Sequence, residues 1–256
     1  MKNFKVALQL FSLRDILNDD LEGTLQKVKD MGYDYIEYCD FGDTPAKEVK
    51  EILDRIGLKA FSVHQNHWPY SQDPEGKIEY MKEIGVDYCV LPWFSPEAWR
   101  DDWDGTIKTI QEFAKDVTKE GIKFYYHNHA NEFEKVNGEY VLDKLFKIFP
   151  EDLIHPQLDV AFFIKVKEDY AKYIRKYAGR VEILHLKDGI TEVLEDGTTK
   201  LTTVPVGMGE LDVQAVLDAC EEAGTEYIIV EQTPRPGTDP LEEVKLSREY
   251  LKTLGL

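Results

Sequence analysis

The sequence predicts a (β/α)8 barrel that forms a single domain over residues 1–256, and three observations predict it. A helix–glycine–strand junction recurs along the chain, as in "VKDMGYDYIEY", "LDRIGLKAFSVH" and "CEEAGTEYIIV". The strand-like runs are short and mostly apolar, as expected of strands covered on both faces. The chain has 256 residues, close to the roughly 250 that eight such repeats need.

The elements follow in order. "FKVALQLFSL" opens the chain as a strand. Leu25, Val28 and Met31 share a helix face that closes at Gly32, and a second strand follows through "YIEY". Gly57 and Gly85 close the next two helices ahead of "LKAFSVH" and "VDYCVLP". Ile107, Ile110, Phe113, Ala114 and Val117 form the apolar stripe of a long helix ending at Gly121, before "KFYYH". Proline replaces glycine at the junction "IFPEDLIHPQLDV". Gly179 precedes "RVEILHL", and Asp212 is the expected cap of "VQAVLDACEEAG", which leads into "YIIV". A glycine after each helix suits the left-handed residue that terminates it. Strands alternating with helices call for a parallel sheet, and eight of them favour closure over an open sheet. Asn137-Gly138 and Asp196-Gly197 mark two small hairpins inserted after the fifth and seventh strands. In a barrel that is the face where active sites are built.

Composition narrows the function. A net charge of −18 repels phosphodiester backbones and anionic membranes, and no run of Lys and Arg supplies a local exception. No apolar run approaches the roughly 18 residues of a membrane span. Cysteines 39, 89 and 220 are odd in number and widely spaced, which predicts thiols in a reducing compartment. A cytoplasmic protein is expected.

The polar residues at the strand C-termini carry the chemistry. They are Gln9, Glu37, His64, the pair His127 and His129 with Glu132 just beyond, Asp159, then His185, Lys187 and Asp188, and Glu231. Barrel closure gathers these ends around one axis. Converging carboxylates repel one another unless a cation lies among them. Two Glu, one Asp and one His form an oxygen- and nitrogen-donor set for one divalent ion: Mn²⁺, Mg²⁺ or Co²⁺, with Zn²⁺ also accommodated.

"YYHNHANEFE", "QLDVAFF", "HLKD", "VGMGELD" and "IIVEQT" resemble the sugar phosphate isomerase/epimerase family of xylose-isomerase-like TIM barrels. The subgroup is the one with a Tyr-His-Asn-His-x-x-Glu-Phe run. The resemblance implies one catalytic divalent metal held by Glu132, Asp159, His185 and Glu231. Other members place the first glutamate inside strand five, where this chain has Tyr126 or His127, so Glu134, His127 and His129 stand as alternatives to Glu132.

His127 and His129 share parity, so both point one way; a proton carrier facing substrate is one reading and a hydrogen-bonded core pair the other. His64 divides between site and structure. Lys187 enters the barrel mouth either to bind a substrate oxygen or to pair with a rim acid. Trp68, Trp93, Trp99 and Trp103 suit stacking on a sugar face or an oligomer contact. The expected activity is proton abstraction next to a carbonyl by a metal-dependent sugar isomerase or epimerase. The alternative is a lyase or dehydratase eliminating from a keto-sugar or 3-keto-glycoside. An AP-endonuclease-like nuclease and a non-catalytic sugar-binding barrel are more distant readings. A small sugar or keto-sugar is the expected partner, with a homo-oligomer possible.

Overall fold

The computed structural model describes residues 4–39 and 44–256. Eight parallel strands close into a barrel. They are β1 (Lys5–Gln9), β2 (Tyr35–Cys39), β3 (Lys59–His64), β4 (Tyr88–Leu91), β5 (Lys123–His127), β6 (Ile154–Asp159), β7 (Ile183–Leu186) and β8 (Tyr227–Val230). Each pairs with its sequence neighbours, and β1 pairs with β8 to complete the ring.

The helices of the outer layer run α1 (Leu21–Asp30), α2 (Ala46–Ile56), α3 (Pro74–Ile84), α4 (Trp103–Lys119), α5 (Val141–Ile148), α6 (Tyr170–Lys176), α7 (Val213–Ala223) and α8 (Pro240–Thr253). Their apolar stripes are buried as their spacing requires; α4 buries Ile107, Ile110, Phe113, Ala114 and Val117. Asp212 caps α7 by accepting from Ala215 N–H. Gly57, at φ 76°, closes α2 and returns its N–H to Leu53. A side chain there would be strained, which is why glycine occupies the junction. Both hairpins form, as Lys135–Val136 with Glu139–Tyr140 and as Asp188–Val193 with Thr199–Val204. No helix among the described residues is long and apolar enough to cross a membrane. None of the three cysteines is in a disulfide.

Alternation along the strands divides the barrel interior into two zones. Ala7, Phe61, Tyr88, Tyr125, Ile183 and Tyr227, with Tyr35 packed against them, fill the N-terminal half. Phe61 stacks on Tyr227 with ring centroids 4.0 Å apart. Further along most of the strands the inward positions turn polar: Gln9, Glu37, His127, Gln157, His185 and Glu231 are all buried. The β2–β3 register slips by one residue after Ile36. Phe61 thereby stays in the aromatic zone while Ser62 reaches Glu37.

Candidate metal centre

The polar zone is built on Glu37, which is fully buried. Its carboxylate accepts from Gln9 Nε2 at 2.8 Å, Ser62 Oγ at 2.6 Å and Gln157 Nε2 at 2.8 Å. His185 Nε2 lies 2.6 Å away and His64 Nε2 2.9 Å away. Burial alone would raise its pKa, but the imidazoles of His64 and His185 hold the carboxyl well below its usual range.

Above Glu37, four side chains from consecutive strands converge. His127, Asp159, His185 and Glu231 each offer a donor atom, and these atoms all lie within 4.8 Å of one another. Asp159 Oδ1 accepts from Ala161 N–H at 3.0 Å, and its backbone N–H is fixed by Asn128 Oδ1. Its Oδ2 is buried and has no hydrogen-bond partner. Burial pushes the Asp159 carboxyl up to about 6. An orphaned, fully buried carboxylate oxygen is costly unless a cation uses it. Two imidazoles and two carboxylates are a donor set that suits a divalent first-row ion or magnesium. The residues present therefore fit such an ion.

The orientations of these donor side chains are set from behind. Gln157 Oε1 receives both His127 Nδ1 at 2.8 Å and His64 Nε2 at 2.9 Å. A carbonyl oxygen can only accept, so His127 carries its proton on Nδ1 and leaves Nε2 bare. That Nε2 stands 3.9 Å from Asp159 Oδ2. Burial, with His185 nearby, pushes the His127 imidazole well below its usual pKa. His185 lies between Glu231 Oε2, 2.8 Å from Nδ1, and Glu37 Oε1. Burial would lower its pKa, but the two carboxylates raise it to about 10. With Glu37 on one nitrogen, the other is directed at the cluster, so Glu37 would orient the ring toward an ion bound there.

Lys187 Nζ donates to Glu231 Oε1 at 2.7 Å and lies 3.7 Å from Asp159 Oδ2. It thus takes the rim-acid pairing rather than an open position. Burial opposes the Glu231 charge, yet Lys187 and His185 hold that carboxyl well below the usual range.

Glu132 stands apart from this group. It lies in a short 3-10 turn (Asn131–Phe133) beyond β5, fully buried, accepting from Tyr126 Oη and from His129 N–H, each at 2.7 Å. Both its oxygens are engaged in holding the His127–Phe133 turn. The physical reason is local: beyond the strand, parity no longer directs a side chain, and the turn folds Glu132 back on Tyr126. His127, the last residue of β5, takes the position in the cluster instead. Glu134, the other acidic alternative, pairs with Arg100 on the surface. Glu37 is legible in the sequence as a strand-end acid without an assigned role, and Gln157 is not among the strand-end residues singled out there. The signal for Gln157 was its parity with Asp159, two residues on.

A cavity of about 330 Å³ opens beside the cluster, lined by Phe11, Cys39, His64, Asn66, Pro92, Trp93, His127, His129 and Glu231. His129 Nδ1 is buried without a partner, and burial pushes the imidazole down to about 4. Of the tryptophans, Trp93 alone is in the lining. Trp99 is core, Trp103 packs partly buried beneath Lys144, and Trp68 is exposed.

The barrel carries at its C-terminal mouth, the face where barrel active sites are built, a buried carboxylate–imidazole cluster that could hold a metal. The sequence pattern of the xylose isomerase-like TIM barrel family matches residues 25–254, and the chain belongs to that family. It is similar to inosose dehydratase of Clostridium perfringens, 27% identical, with 92% of this chain and 93% of that protein covered. In structure it resembles a sugar phosphate isomerase/epimerase of Parabacteroides distasonis, with TM-score 0.81, 21% identity, and 96% and 97% of the two chains covered. It also resembles the IOLI protein, crystallised with a zinc atom, at TM-score 0.70 and 16% identity, covering 98% of each chain.

Proposed function

We propose that this chain is a divalent-metal-dependent enzyme that removes a proton next to a carbonyl in a sugar or polyol-derived ketone. His127, Asp159, His185 and Glu231 would hold the ion. The observation that carries the reading is the convergence of those four donors, with Asp159 Oδ2 unpartnered, beside a cavity lined by further imidazoles. When bound, the ion supplies the positive charge that polarises a carbonyl oxygen and acidifies the neighbouring C–H.

The chain's own residues supply the rest. His129 is neutral at physiological pH because burial lowers its pKa to about 4, and its Nδ1 is uncommitted, so it can take a proton. Lys187 keeps Glu231 anionic and in place. His64 lines the adjoining wall, its Nε2 held by Gln157 and Glu37. In elimination the α C–H bond breaks, the electron pair forms the C=C bond, and the β C–O bond breaks as hydroxide leaves with a proton as water. We place this lyase outcome first because of the similarity to inosose dehydratase over nine-tenths of both chains. The second reading, epimerisation or isomerisation, is favoured by two imidazoles reaching the cavity from different strands, His64 and His129, since returning the proton at a new position calls for a second carrier.

The test is solvent exchange. The Mn²⁺- or Mg²⁺-loaded protein is incubated in D₂O with inososes, ketopentoses, ketohexoses and 3-keto-glucosides. Deuterium should appear at the carbon next to the carbonyl of one class, with an unsaturated ketone marking elimination and a stereoisomer marking epimerisation. His129→Gln should slow exchange by about 100-fold or more. No exchange in any class with either ion would overturn the reading.

A further inference from the structure

The imidazoles of His64, His127 and His185 come close enough to share an ion of their own, with donor atoms within 4.8 Å of one another. The hydrogen bonds of His64 give that ring a different role. His64 is the last residue of β3, and its ring lies parallel to that of His185, 5.2 Å between centroids and 6° between planes. Its Nε2 faces two oxygens, Gln157 Oε1 at 2.9 Å and Glu37 Oε1 at 2.9 Å.

Both of those oxygens accept. Glu37 already receives Gln9 Nε2, Ser62 Oγ and Gln157 Nε2, as a carboxylate anion does. The Gln157 amide is fixed the same way round, because turning it would set its oxygen against Glu37 Oε2, where its Nε2 now sits at 2.8 Å. The His64 proton is therefore on Nε2, and a protonated nitrogen does not ligate a cation. The other nitrogen, Nδ1, is bare. It makes no hydrogen bond among the described residues and, unlike His129 Nδ1, it is not fully buried. The side chain lines the cavity. An imidazole held on one edge by a carboxylate, with an open acceptor on the other, has the orientation that catalytic histidines need.

We infer that His64 is a catalytic residue that meets the substrate through Nδ1, accepting a hydrogen bond from a substrate hydroxyl, while Glu37 and Gln157 are positioning residues that hold its Nε2–H. This rests on the proposed function for the presence of a hydroxyketone in the cavity. It adds the wall that a hydroxyl meets and the sense in which that bond runs. A bare nitrogen cannot donate to a carbonyl oxygen, so the carbonyl is left to the ion and the hydroxyl goes to His64. The ring also stays outside the ligand set, which remains His127, Asp159, His185 and Glu231.

The test begins with nitrogen NMR of the Mg²⁺-loaded full chain carrying isotope-labelled histidine, which reads the tautomer of each ring without turnover. The His64 signals, identified by their loss in His64→Gln, should show a proton on Nε2 and none on Nδ1. Adding the ketones of the exchange panel should move the Nδ1 resonance for at least one class. His64→Gln keeps an N–H for Glu37 and Gln157 but puts nothing in the place of Nδ1. It should retain its ion and lose about 10- to 100-fold in kcat/KM for exchange. His64→Asn, whose amide oxygen can stand where Nδ1 does, should recover part of that loss. A proton on Nδ1 in the free protein would overturn the inference, as would an Nδ1 resonance that no ketone moves. Metal loss from folded His64→Gln would overturn it too, by returning the ring to the ligand set. A ketone that moves the Nδ1 resonance without exchanging deuterium would sink the proposed reaction and leave this contact standing. Exchange at the wild-type rate in His64→Gln would do the reverse.

Discussion

The two ends of the barrel are made from the same eight strands and hold together by opposite means. At the N-terminal end Phe61, Tyr88, Tyr125 and Tyr227 interlock through stacked and edge-on rings. Two of the hydroxyls are bonded at the rim: Tyr125 Oη donates to Glu182, and Tyr227 Oη accepts from Lys5. At the C-terminal end the inward positions include charged and amide side chains, and Asp159 Oδ2 makes no hydrogen bond. Packing is satisfied at one end and deliberately incomplete at the other. A fold selected for stability alone would fill both ends with apolar side chains, because buried ionic clusters contribute little net stability. The polar end is therefore the place to look for function.

Perturbing each end should separate the two roles. The largest effect is expected from Glu231→Gln: deuterium exchange into a responsive ketone should fall by about 1,000-fold in the folded fraction, and stability should fall too, because Lys187 and His185 lose a buried carboxylate partner. Phe61→Ala should act on stability alone. Loss of the stacked ring should cost about 3–5 kcal/mol in denaturant unfolding, while metal stoichiometry of the folded fraction stays the same. Retained stability in Phe61→Ala, or metal loss from the folded protein, would blur the division.

Glu132→Gln sharpens the comparison within the polar end. Because Glu132 braces the turn through Tyr126 and His129 N–H, the variant should keep its metal and lose about tenfold in exchange rate. Metal loss from Glu132→Gln would return that residue to the ligand set. The smallest effect concerns acid stability at the N-terminal rim. Glu182 is half-buried; burial would raise its pKa, but Lys123 and Tyr125 lower it. A lowered folded-state pKa gives stability that is present above the unfolded value and lost as pH falls through the folded one. Glu182→Gln should flatten that part of the stability curve below about pH 4.5, by well under 1 kcal/mol because the pair is solvent-screened. A wild-type and variant difference that grows on acidification would contradict the sign.

The division between the ends was only partly legible in the sequence. Strand parity is strict, so Asp159, His185 and Glu231 could be placed on one rim before any coordinates, and the junction glycines marked the eightfold repeat. Glu132 lies five residues beyond the last ladder contact of β5, where a turn rather than a pleat aims the side chain. His127 follows the inward Tyr125 by two residues and pairs in register with Gln157. The roles of Glu37 and Gln157 depend on contacts across 120 residues of chain. No local pattern announces such a contact.

Metal content is the most direct measurement of the central claim. Protein purified with and without added Mn²⁺ would be compared with Asp159→Asn and Glu231→Gln by elemental analysis, with circular dichroism confirming that each variant is folded. The account predicts about one ion per chain in the wild type and strong depletion in both folded variants. Undiminished stoichiometry in both would contradict it.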